Sequence, residues 1–195
     1  MNIPNFLTLL RIVIIPFFPL FYLKYNFFGI SLIYLPYILF FILGLCELTD
    51  LIDGMWARKK NQVTDFGKVV DPMADSITNI LVFFTFTQGW IDLPIFLIFV
   101  FLYREFIIST LRTICALRGI TLSARKSGKI KTFMQAIVGL VITLLLIPFT
   151  LGYMSLELLQ NISITMVSIT AIYSVYSAIE YFYANKTHLK SFLKN

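Results

Sequence analysis

Apolar residues fall in six long runs, near residues 5–24, 27–49, 72–91, 93–114, 132–151 and 155–183, and the stretches between them collect most of the charged side chains. A helix that crosses a bilayer needs about 20 mostly apolar residues. Each run therefore predicts one transmembrane helix, and the pattern as a whole predicts an all-α integral membrane bundle of six. The first run carries Arg11 inside it, lacks a basic segment ahead of it and has no small-residue cleavage site before Lys24, which predicts a retained helix rather than a cleaved leader. No internal repeat, low-complexity tract or Gly/Ser linker divides the chain, so residues 1–195 are expected to form a single domain.

Composition sharpens this into a class. Hydrophobic residues make up 58% of the chain and charged residues 13%, against roughly 45–50% and about 25% in soluble domains. An ordinary soluble enzyme is excluded, because one small core cannot bury so many apolar side chains and lipid must cover the rest. The net charge of +6 is unevenly placed. Thirteen of the 16 cations lie at the end of the fourth run (Arg112) or after the second, fourth and sixth runs, whereas the opposite connections hold only Lys24, Asp92 and Glu157. The positive-inside rule then places both termini in the cytoplasm of a cell (cytoplasmic) membrane, with the chemistry in the cytosolic loops and no nucleic-acid partner. Cys46 and Cys115 read as packing residues, and His188, the one histidine, lies in the charged tail, which excludes a histidine-dependent nucleophile. Tyr173, Tyr176, Tyr181 and Tyr183 read as an interfacial belt, with Glu180 placed to pair with a cytosolic cation.

The acids are the informative minority. Six of ten, Glu47, Asp50, Asp53, Asp65, Asp71 and Asp75, fall within 29 residues at the cytosolic junction of the second and third runs. Asp50, Asp53, Gly54 and Ala57 share one helical face, and Gly67, Asp71 and Asp75 share another, with Pro72 in a first turn or at a kink. Ionised acids at membrane depth cost roughly 2.5 kcal/mol or more each unless compensated. Neutralisation by Arg58, Lys59, Lys60 and Lys68 would account for the acids, but not for small residues at matching places on both faces, which suit a bulky ligand lying against backbone. Oxygen ligands with no nearby His or Cys point to hard ions, Mg²⁺, Mn²⁺ or Ca²⁺, and four acids suit a pair of them. Such a pair is what a diphosphate substrate requires, with Arg58 placed for a phosphate oxygen.

Asp50-Leu51-Ile52-Asp53-Gly54-Met55-Trp56-Ala57-Arg58, eight further residues, then Gly67-x3-Asp71-x3-Asp75 resembles the signature of the CDP-alcohol phosphatidyltransferase family at all eight fixed positions. The resemblance implies a six-helix membrane enzyme, usually a homodimer, that transfers a phosphatidyl group from CDP-diacylglycerol to an alcohol and releases CMP. It also implies two divalent ions, Mg²⁺ or Mn²⁺, on Asp50, Asp53, Asp71 and Asp75, with Asp75 as general base. Gly54, Ala57 and Gly67 would line the cytidine diphosphate cleft, and Asp50 and Arg58 would meet CDP-diacylglycerol.

Three further stretches are similar to phosphatidylglycerophosphate synthases of that family: residues 2–11, Tyr103-Arg104-Glu105-Phe106-Ile107-Ile108 followed by Leu111-Arg112, and Gly128-Lys129-Ile130-Lys131-Thr132 with Gln135. That implies sn-glycerol 3-phosphate as acceptor. The cations agree, since Arg104 and Arg112 share a face at i, i+8 and Arg125, Lys126, Lys129 and Lys131 form a basic rim suited to a dianionic phosphate. Anchoring on anionic lipid is the plainer reading of the rim. Inositol phosphate, serine, choline or phosphatidylglycerol are the alternative acceptors within the family, and a divalent-cation transporter is the alternative outside it. Two features depart from the synthase pattern: Ser76 follows Asp75 where a lysine is common, and Glu47 is an extra acid, read as a helix-end residue.

Overall fold

The computed structural model describes residues 3–59, 65–117 and 125–186, and these form seven α-helices with no strand among them. They are α1 (Ile3–Ile14), α2 (Phe17–Lys24), α3 (Leu35–Lys59), α4 (Asp65–Thr85), α5 (Ile95–Leu117), α6 (Lys126–Thr150) and α7 (Leu156–Ala184). Pro16, which has no N–H to donate, separates α1 from α2. The Ile15 N–H still donates to the Arg11 carbonyl and the Phe18 N–H to the Ile15 carbonyl, both at 3.0 Å, so the two short helices follow one another across a single turn. Together they form the first of six hydrophobic passes.

Four segments, Asn5–Lys24, Leu35–Ile52, Lys126–Thr150 and Leu156–Ala184, are long and apolar enough to cross a membrane. α4 and α5 are comparable in length, at 21 and 23 residues, but carry Lys68, Asp71 and Asp75 in one and Arg104, Glu105 and Arg112 in the other. The candidate chemistry is thus spread over α3, which carries Asp50 in its C-terminal half, and over these two charge-bearing helices. α1 packs on α3 and α4, α6 lies against α3, α4 and α7, and α5 closes the bundle against α4 and α7. Phe18, Leu39, Leu43, Phe83, Phe86, Phe101 and Ile142 lie in the core. Gly139 lies where α6 meets α3 and α4, and a Cβ there would make ordinary contact with Val82 at 3.4 Å and Leu43 at 3.8 Å. Large side chains such as Phe41, Phe106, Phe133 and Ile172 project outward, an apolar exterior that only lipid or a partner can cover. Cys46 and Cys115 are buried free thiols, as packing residues should be.

Helix boundaries differ from the apolar runs in ways that matter to the site. The second pass begins at Leu35 rather than 27, because Gly29 at φ +66° and the turn bonds from Phe27, Gly29 and Ile30 back to Lys24, Asn26 and Tyr25 coil the intervening residues. It then runs on to Lys59, which puts Glu47 in the helix interior and not at its end. The third pass begins at Asp65 rather than 72, so Pro72 sits well inside α4 and not in its first turn. It ends at Thr85, where the Thr87 and Gln88 N–H groups turn back to the Phe84 and Thr85 carbonyls, and Gly89 beyond them adopts φ +77° against the Tyr22 ring, where a Cβ would come within 3.1 Å. Tyr22 meets Trp90 edge-on and Trp90 meets Phe149 at a tilt at that end of the bundle, with ring centroids 5.5 and 6.2 Å apart.

Candidate active site

The polar end of the bundle contains two linked clusters. In the first, α1 reaches the acids of α3 and α4. Arg11 is 3% exposed, and its Nη1 donates to Asp50 Oδ1 at 2.6 Å and to Asp75 Oδ1 at 2.9 Å. One turn earlier, the buried Thr8 hydroxyl donates to Asp71 Oδ1 at 2.8 Å. Asp71 and Asp75 turn toward the same neighbour, as their i, i+4 spacing requires. Three of the four acids anticipated as metal ligands are therefore brought together by one helix. Gly67, buried, lies a turn before Asp71 on α4. Asp53, Gly54, Ala57 and Arg58 lie on α3, but their side chains fall outside the described residues, as do residues 60–64 and His188.

The second cluster is centred on Glu105 of α5. Its Oε1 accepts from Arg104 Nη1 at 2.9 Å and from the Lys131 ammonium of α6, and its Oε2 accepts from the Ser76 hydroxyl at 2.9 Å. Arg104 Nη2 also donates to Ser177 on α7 at 3.2 Å, beneath the first turn of α6, where a Cβ on Gly128 would stand 3.5 Å from it. Lys131 was expected on the basic rim and is instead buried, because α6 starts at Lys126 and the helical turn carries position 131 inward to Glu105. Lys126 and Lys129 stay exposed and Arg125 half-buried. Arg125 lies 3.9 Å from Glu180, the pairing anticipated for that acid. Arg112 faces α7 as Arg104 does, with its guanidinium 5.5 Å from the centre of the Tyr181 ring. Tyr181 is buried and so leaves the interfacial belt, in which Tyr176 and Tyr183 remain exposed.

Asp75 belongs to the first cluster and Ser76 to the second, so consecutive residues of α4 join them. Ser76, the departure from the synthase pattern, has its one hydroxyl proton shared between Glu105 Oε2 and the Pro72 carbonyl, each 2.9 Å away. Arg11, Thr8, Ser76 and Glu105 were not among the anticipated site residues. Arg11 and Glu105 carried a usable signal, because an ionisable side chain inside an apolar run requires a partner.

The donor set suits a hard divalent cation. It consists of carboxylate oxygens from two helices, and the point between Asp50 and Asp75 already attracts a cationic nitrogen. Among the described residues, no three His, Cys, Asp or Glu side chains form a complete metal-binding group, and Asp53, the fourth acid, has no described side chain.

A helical membrane domain with carboxylates and phosphate-suited cations gathered at one end of the bundle defines a class of membrane enzyme acting on charged lipid headgroups. The chain matches the CDP-alcohol phosphatidyltransferase family over residues 1–173. It belongs to that family and is a phosphatidyltransferase. It is 33% identical over 189 residues to the CDP-diacylglycerol--glycerol-3-phosphate 3-phosphatidyltransferase of Rickettsia typhi, covering 96% of this chain and 98% of that one. Proteins of the same name from Bacillus subtilis, 34% identical over 163 residues (77% of this chain, 80% of that one), and Wigglesworthia glossinidia brevipalpis, 35% identical over 189 residues (94% of each), are also similar.

Proposed function

We propose that this enzyme transfers the phosphatidyl group of CDP-diacylglycerol to sn-glycerol 3-phosphate, forming phosphatidylglycerophosphate and CMP. The observation that carries the reading is the meeting of Asp50 and Asp75, from two helices, on one cationic point directly beside a second cluster of cations built around Glu105. The names of the similar proteins support the acceptor.

CDP-diacylglycerol lies at the cytosolic interface with its acyl chains in lipid, its cytidine against Gly54, Ala57 and Gly67, and Arg58 on its phosphates. Asp50, Asp53, Asp71 and Asp75 would hold two divalent ions, Mg²⁺ or Mn²⁺, which would supply positive charge to the diphosphate and to the CMP leaving group. Arg112, Arg125, Lys126 and Lys129 draw the acceptor phosphate in, and Arg104 and Lys131 complete the pocket from below. Asp75 takes the proton of the acceptor 1-hydroxyl as its oxygen attacks the β-phosphoryl group, and the phosphoanhydride bond breaks to release CMP. No covalent enzyme intermediate is needed. The protein acts as one domain in the cell membrane, both termini cytoplasmic, as a homodimer.

The test is CMP release by purified protein in detergent across a panel of acceptors: glycerol 3-phosphate, inositol phosphate, serine, choline and phosphatidylglycerol. A strong preference for glycerol 3-phosphate is expected. An equal or better rate with any other acceptor would overturn the acceptor assignment.

A further inference from the structure

We propose that Arg11 is a built-in counter-cation of the acidic site, occupying the place between Asp50 and Asp75 that a divalent ion takes, so that guanidinium contact and metal binding exclude one another. The inference rests on the metal reading above and adds to it a residue of α1.

A single nitrogen, Nη1, lies within hydrogen-bond distance of one carboxylate oxygen from α3 and one from α4. Both bonds are charge-assisted, and both converge on one point rather than spreading over the guanidinium fork. A Mg²⁺ ion bridging those oxygens would sit about 2.0–2.1 Å from each. Its double charge would then lie in the region now filled by Nη1, where like charges repel and the same oxygen lone pairs are claimed twice. Without a cation, the acids and their burial beside an apolar core would be costly, so the arginine holds α3 and α4 together until an ion arrives. Thr8 supports this division of labour. Its hydroxyl is neutral, its bond to Asp71 leaves that carboxylate free to bind a cation with its remaining lone pairs, and it keeps α1 docked on α4 when Arg11 lets go.

A purely architectural arginine makes the opposite prediction. If Arg11 merely set the spacing of Asp50 and Asp75, removing it would scatter the ligands and weaken metal binding. If it competes, removing it tightens binding.

The experiment is Mn²⁺ titration of the full chain in detergent without substrate, with free Mn²⁺ read by electron paramagnetic resonance, for wild type, Arg11→Met and Arg11→Lys. Arg11→Met should bind Mn²⁺ roughly tenfold more tightly than wild type, equivalent to about 1.4 kcal/mol. It should also melt at a lower temperature without metal and gain more from Mn²⁺. Arg11→Lys, which keeps the charge on a shorter side chain that reaches less far between the acids, should fall between the two. Unchanged or weaker Mn²⁺ affinity in a folded Arg11→Met protein overturns the inference, and if that variant does not fold, wild-type or weaker affinity in Arg11→Lys does so. A wild-type protein that binds no Mn²⁺ at all would instead defeat the metal reading on which the inference stands.

Discussion

Glu105 offers a sharp perturbation, because two cations share one carboxylate. Lys131 is 2% exposed and Arg104 9%, and both contact Glu105 Oε1 while Ser76 holds Oε2. The cluster therefore carries one positive charge net. Glu105→Gln leaves two buried cations facing each other with no anion between them, whereas Lys131→Met leaves Arg104 and Glu105 as a neutral pair. Removing one partner of a buried ion pair costs about 3–5 kcal/mol, and glutamine keeps one acceptor oxygen, so the lower figure of about 3 kcal/mol applies to Glu105→Gln. At roughly 2–4 °C per kcal/mol for a chain of this size, the melting temperature should fall by roughly 6–12 °C. Lys131→Met should cost less than half as much. The buried thiols of Cys46 and Cys115 provide the assay, since a thiol-reactive fluorophore labels them only as the bundle opens. The double variant Glu105→Leu with Lys131→Met should recover part of the loss by removing one cation with the anion. A Glu105→Gln protein that melts within 1 °C of wild type, or a Lys131→Met protein that suffers more, would refute the charge arithmetic.

Three further outcomes follow from the two clusters. Asp75→Asn should lower CMP release by roughly 10²–10⁴-fold at saturating acceptor, measured on protein shown to be folded, and near wild-type turnover would remove Asp75 from the role of base. Thr8→Val takes the hydroxyl from Asp71 Oδ1 and should cost about 1.5–3 kcal/mol, read as the melting temperature in the absence of metal. Arg112→Gln removes a cation that rests on the Tyr181 ring without touching the Glu105 cluster, so the KM for glycerol 3-phosphate should rise several-fold while the melting temperature stays close to that of wild type.

The architecture was legible where it depends on local pattern. Apolar runs marked the passes because a spanning helix needs about 20 mostly apolar residues, and the i, i+4 spacing of Asp71 and Asp75 put both on the one face that meets α1. What the pattern concealed was long-range. Thr8 and Asp71 stand 63 positions apart, Arg11 and Asp75 64, and Ser76 and Glu105 29. Periodicity says which face a residue occupies, not which helix packs against it. Arg11 could have been read as a buried cation in search of an acid, but its choice of Asp50 and Asp75 depends on α1 lying between α3 and α4. The neighbouring Lys126 and Lys129 give Lys131 the look of a rim cation, and the start of α6 at Lys126 turns it inward. Phe27 to Gly29 reads as the beginning of a span because Phe27 and Phe28 are apolar, yet Phe27 is 84% exposed in a turn that Gly29 shapes.

The central claim is that a carboxylate site charged with a divalent ion drives phosphatidyl transfer to glycerol 3-phosphate. The most direct measurement follows CMP and lipid product together, by chromatography and mass spectrometry, from CDP-diacylglycerol and glycerol 3-phosphate with the purified protein before chelation, after chelation, and after Mg²⁺ or Mn²⁺ is restored. The account predicts CMP and phosphatidylglycerophosphate in equal amounts, lost on chelation and regained with the ion. Ion flux across liposomes carrying the protein, with no CMP formed under any of these conditions, would contradict it.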